Sequence, residues 1–163
     1  MKVYGNLTGF ECIGNRANLT ALDVSNNTQL DELDCSGNKL TSLNLSSNTQ
    51  FMKLYCYANN FSTQALDDIY CALPDRTGTT NGVIQPVKNA SDPNHATVLA
   101  TNKQNAIAKK WKVQYFDGNA DIPATTGSYV CSGGGSGGGG GSEPNMSRYI
   151  TLTVALRDRK SVV

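Results

Sequence analysis

Few side chains in this 163-residue chain stand at the spacings that chemistry requires. Five cysteines invite a metal or disulfide reading. There is no C-x-x-C pair, and His95 is the only histidine, so a zinc site lacks ligands. Cys12, Cys35 and Cys56 follow one another at 23 and 21 residues, a spacing better suited to small buried thiols at equivalent positions of a repeat. Cys71 and Cys131 fall outside that series. They could bridge in an oxidising compartment, although sequence alone does not bring them within bonding distance. Asp117-Gly-Asn119-Ala-Asp121 places oxygen ligands at alternate positions, as a calcium loop begins, but lacks the downstream bidentate glutamate and reads as a turn. Asp67 and Asp68 are adjacent on a predicted helix and so cannot face one substrate together. Asp92-Pro-Asn-His95 sets a histidine near an acid with no recognisable nucleophile, and is read as surface. No nucleophile elbow, Walker loop or dinucleotide fingerprint is present. An enzyme is not expected, and no cofactor is implied.

The elements that would position any site are set by a repeat. Leu19-Thr-Ala-Leu22-Asp-Val24-Ser-Asn-Asn27 recurs as Leu30-Asp-Glu-Leu33-Asp-Cys35-Ser-Gly-Asn38. It continues as Leu40-Thr-Ser-Leu43-Asn-Leu45-Ser-Ser-Asn48 and Phe51-Met-Lys-Leu54-Tyr-Cys56-Tyr-Ala-Asn59. Upstream, Leu7-Thr-Gly-Phe10-Glu-Cys12-Ile-Gly-Asn15 fits the same template, and Phe61 opens a copy that diverges. Two apolar residues two apart share one face of a short strand, and the leading Leu enters the core from the preceding turn. The asparagines Asn15, Asn27, Asn38, Asn48 and Asn59 stand where the chain must bend, and their amides can satisfy backbone groups of neighbouring coils. One coil cannot offset its own ordering entropy, so the coils must stack.

Leading positions are 10 to 12 residues apart, half a usual leucine-rich repeat, and the third core position alternates between Cys and Val or Leu. The full period is therefore about 21 residues. A flattened coil with a strand ladder on each side is expected. Phe10/Cys12, Leu33/Cys35 and Leu54/Cys56 would form one ladder, and Leu22/Val24 with Leu43/Leu45 the other. This LxxLDVSxNTxLxxLxCSxNxLTxL pattern, over roughly Val3 to Cys131, resembles the surface and secreted leucine-rich-repeat proteins of Bacteroidales-type bacteria. The resemblance implies an exported, extracellular or cell-surface parent protein with a repetitive interaction surface, and names no ligand.

From Ser62 the period breaks. Ser62 or Thr63 can cap a helix carrying Leu66, Ile69, Tyr70 and Leu73 that Pro74 stops. Residues 77–82 read as a loop and Val83–Val87 as a strand that Pro86 assigns to an edge. Val98 to Lys110 has helical spacing, and Trp111–Phe116 is a strand. The fold class expected is α/β: a short leucine-rich-repeat solenoid with parallel β ladders over 1–61, closed by an αβαβ cap over 62–131. Residues 132–142 are a Gly/Ser linker. Residues 143–163 read as the truncated start of a following module, with an alternating strand at Arg148–Val154. The last six, Asp158–Val163, match a translated sequencing adapter and suggest a spurious end.

Function must then lie on exposed repeat positions. Glu32, Asp34, Lys53, Tyr55 and Tyr57 flank the core positions and point outward. The two tyrosines are the residue type enriched at interfaces, although they could equally pack on the cap. A protein or glycan partner is expected, with a ligand-free structural spacer as the rival reading. A net charge of +1 offers no field for nucleic acid, and no apolar run spans a bilayer. The trio Lys109, Lys110 and Lys112 is read as a solvated face. The sequons at Asn6, Asn18 and Asn44 follow from the repeat template. The N-terminus carries no apolar signal core.

Overall fold

The computed structural model describes residues 1–14 and 19–132. The readings made for Asn15, for the linker beyond Ser132 and for the following module lie outside the described residues. The chain is α/β, built on one five-stranded sheet whose order follows the sequence and whose neighbours are all parallel. Strands β1 (Gly9–Glu11), β2 (Glu32–Asp34) and β3 (Lys53–Tyr55) come from the repeats. Helix α1 (Thr63–Ala72), strand β4 (Gly82–Val87), helices α2 (His95–Leu99) and α3 (Gln104–Ile107), and strand β5 (Trp111–Tyr115) follow. The arrangement is compatible with a solenoid-like α/β fold.

The repeat spacing, 23 residues and then 21, fixes the register. Phe10 pairs with Leu33 and Leu33 with Leu54, so equivalent residues of successive repeats stack directly. Leu54 then pairs with Ile84, and Ile84 with Val113, which carries the same inward row across the later segment. Leu33, Leu54 and Ile84 are wholly buried. Each such side chain contributes roughly 1.5–3 kcal/mol. Asparagines lock the stack. Asn38 Nδ2 donates to the carbonyls of Cys12 (2.9 Å) and Cys35 (3.0 Å), and its Oδ1 accepts from Leu19 N. Asn59 repeats the arrangement one period on, with Cys35, Cys56 and Leu40.

On the opposite side the expected second ladder is absent among the described residues. Leu22, Val24, Leu43 and Leu45 are buried there, but the only pairing is a single bridge between Lys2 and Asp23. Tight turns cut those segments short: Asn27 N donates to Val24 O, and Asn48 N to Leu45 O. Asn48 reaches back to the carbonyls of Val24 and Asn27 and ties the turns together without strands.

Helix α1 is capped by Ser62, whose hydroxyl accepts from Ala65 N, and its last turn is Leu73 before Pro74. Two other expectations need correction. Strand β4 is central rather than an edge, flanked by β3 and β5. Pro86 is tolerated because the β4–β5 register shifts by one residue between Ile84 and Val87, so its missing N–H falls in the irregularity. The span 98–110 is two short helices, not one. Thr101 Oγ1 bonds back to Val98 O, and the Asn102 N–H is taken by the carboxylate of Asp67 on α1. A new start then follows at Asn102, whose Oδ1 accepts from Gln104 N.

Candidate functional site

The face of the sheet away from the helices is assembled by strand alternation. Leu33 and Leu54 point inward, so Glu32, Asp34, Lys53 and Tyr55 are displayed on the other side. In register, Glu32 lies beside Lys53, and Asp34 beside Tyr55. Lys53 Nζ is 3.5 Å from Glu32 Oε2 with both side chains well exposed, a contact worth little in stability. Asp34 accepts from Ser36 N (2.9 Å) in a turn that ends the strand. The Tyr55 hydroxyl is held above its ordinary pKa, chiefly by burial and next by the Glu32 carboxylate.

Tyr57, past the end of β3, and Tyr55 meet a residue that the repeat pattern does not contain. Phe116 follows β5, is anchored by its N–H to Val87 O, and packs 4.5 Å from Tyr57 and 6.2 Å from Tyr55, centroid to centroid. Tyr57 lies at 36° to Phe116, and Tyr55 edge-on at 90°. Phe116 is 38 % exposed, so the cluster is open to solvent. Beside it, Gln85 pairs in register with Tyr55 and is almost wholly buried. Its Nε2 donates to Tyr115 O and Asn119 Oδ1, while its Oε1 has no partner among the described residues. The buried Ser36 Oγ, one residue past Cys35, likewise has none. Both oxygens are sealed from solvent, so neither is presented to a partner on this face.

The structure therefore brings Glu32, Asp34, Lys53, Tyr55 and Tyr57 onto one face. Sequence reasoning missed Phe116 and Gln85. Their short-range signal is only a strand end and a strand interior, and it is the parallel register that lays both beside the tyrosines.

The other candidates resolve as structure. Cys12, Cys35 and Cys56 are free, buried thiols; burial pushes Cys12 up to about 12 and Cys35 and Cys56 well above the ordinary thiol range. Cys71 and Cys131 form a disulfide with Cα atoms 5.5 Å apart. His95 Nε2 lies 2.8 Å from the Tyr115 hydroxyl, while the Asp92 carboxylate is used by the N–H groups of Lys88 and Asn94. Asp117-Gly-Asn119 is a 3-10 turn with Gly118 and Asn119 at positive φ. Its carboxylates are held by amides: Asp117 accepts from Asn89 and Asp121 from Gln114. Among the described residues no group of three or more His, Cys, Asp or Glu could hold a metal ion. Lys109 is not part of a solvated face. Its ammonium donates to the carbonyls of Tyr70, Cys71 and Leu73 and closes the C-terminus of α1.

Comparison of the chain with protein-family models, with curated proteins and with solved structures found no match.

Proposed function

We propose that this chain is a non-catalytic recognition module that takes a protein or glycan on the outward face of its sheet. Residues 1–61 would be a short leucine-rich-repeat solenoid and residues 62–131 its cap. The reading rests on the solvent-open cluster of Tyr55, Tyr57 and Phe116, bordered by Asp34. Aromatic rings supply contact area at low entropic cost, and a neighbouring carboxylate orients a polar partner. We further propose that the parent protein is exported to the bacterial surface. The Cys71–Cys131 disulfide supports this, because such bridges persist in oxidising compartments. Among the described residues no helix is long and apolar enough to cross a membrane.

A spacer role is the second reading, favoured by the same ring contacts, since they also join the cap to the last repeat. An array of glycans and extracellular proteins, probed with the whole chain and with the Tyr57→Ala/Phe116→Ala variant, separates the two. Binders lost in the variant support recognition. An array with no binder supports the spacer, and binders indifferent to the variant overturn the assignment of recognition to this face.

A further inference from the structure

A second site stands at the far edge of the sheet, away from the aromatic cluster. The segment Ala120–Ile122 runs along only the C-terminal half of β5: Tyr115 N donates to Ala120 O, and Ile122 N to Val113 O. Beside the N-terminal half of the strand this leaves a cleft of about 310 Å³, within the size range of small-ligand pockets. Lys103, Lys110 and Lys112 are among the residues that line it, and Asp121 is the one acidic residue of the lining.

The backbone that carries these lysines is fixed. Lys110 sits at φ 65, its N–H bonded to Ile107 O and its carbonyl accepting from Gly82 N. Lys103 is tied by its N–H to Thr125 Oγ1 and by its ammonium to Ile122 O. Lys110 and Lys112 form no salt bridge among the described residues, although the Lys110 charge also acts on the exposed Asp75 carboxylate. Net positive charge beside a low-dielectric wall concentrates anions. The wall here is apolar: Ile107 is 40 % exposed at the rim, and Trp111 and Val113 lie beneath. Asp121 has one oxygen engaged by Gln114, and its second is free to accept from a hydroxyl. A bare inorganic anion would leave the apolar wall uncovered, and would meet Asp121 as a repulsive neighbour. A polyhydroxylated ring with an acidic substituent matches all three features.

We infer that the cleft between α3, β5 and Asp121 binds an acidic sugar, its carboxylate or sulfate held by Lys110 and Lys112 and one ring face against Ile107. The site is independent of the sheet-face reading, and either can fail without the other. Trp111 is the only tryptophan in the chain and lines the cleft, so its emission reports occupancy. The whole chain is titrated with glucuronate, glucose 6-sulfate, glucose, inorganic sulfate and a short Asp/Glu peptide, followed by calorimetry and by Trp111 emission. Saturable binding of one or both acidic sugars is expected, with glucose and sulfate at least about tenfold weaker. Lys110→Gln/Lys112→Gln should weaken the sugar acids by about tenfold or more with an unchanged melting temperature, and Tyr57→Ala/Phe116→Ala should leave them unaffected. Which sugar acid binds decides between carboxylate and sulfate. The inference is overturned by no saturable response to either sugar acid, by sulfate alone or the peptide binding as tightly, or by equal affinity in the lysine variant.

Discussion

Asparagine amides and buried thiols decide most at the residue scale. Asn59 makes both donor bonds and one acceptor bond inside the stack, so Asn59→Ala leaves the Cys56 carbonyl and the Leu40 N–H unpaired, while Cys35 O keeps only its bond from Asn38. A loss of about 2–4 kcal/mol is expected in urea denaturation. Asn60, its exposed neighbour, should be nearly neutral to the same substitution. The three free thiols are buried and held in the protonated form, so they should not react with Ellman's reagent in the native protein and should all react once it is unfolded. One reactive thiol in the native state would count against the stacked positions of Cys12, Cys35 and Cys56. Asp67 is 3 % exposed and its carboxyl lies above its ordinary value, mainly through burial, with the Asn102 N–H acting in the opposite direction. Because the folded state then holds the proton more tightly than the unfolded one, stability falls as pH rises from the unfolded to the folded pKa. Asp67→Asn keeps an acceptor for Asn102 N. It should flatten that limb of the stability profile and raise the melting temperature at neutral pH, as thermal melts across pH would register.

At the scale of elements, close packing sets the tolerances. A Cβ on Gly82 would lie 2.5 Å from the indole of Trp111, itself fixed by Nε1 donating to Pro74 O. Gly82→Ala should therefore cost about 1–3 kcal/mol, and red-shifted Trp111 emission would accompany it. The Cys71–Cys131 bridge closes 60 residues of chain and pins the segment after Ile122 onto α1. Its removal by Cys71→Ser/Cys131→Ser should cost about 2–4 kcal/mol. Hydrogen exchange should then rise first at Thr126 and Gly127, whose N–H groups bond to Leu99 and Thr101. Elements with local signals were legible in the sequence: Ser62 and Pro74 bracket α1, and the Leu-x-Leu spacing marks β2 and β3. Elements set by distant partners were not. The spacing predicts one helix from Val98 to Lys110, yet Asp67 captures Asn102 from another helix and breaks the span. Pro86 carries the mark of an edge, and only the shifted pairing with β5 makes a central place possible.

For the whole molecule, a 21-residue period predicted parallel stacking, and the later segment extends the same sheet instead of merely covering its end. That continuity is what sets Phe116 against tyrosines contributed some sixty residues earlier, and the face it creates was only half legible. Glu32, Asp34, Lys53, Tyr55 and Tyr57 follow from alternation. Phe116 and Gln85 follow from tertiary register alone. The central claim is that this face is where a partner binds. Its most direct test is calorimetric titration of the strongest array binder into the native chain, the Tyr57→Ala/Phe116→Ala variant and the conservative Tyr57→Phe, with melting temperatures measured alongside. Loss of both rings should weaken binding by at least about tenfold while Tyr57→Phe stays near the native value, since the ring area is retained. Equal affinity across all three proteins would contradict the claim.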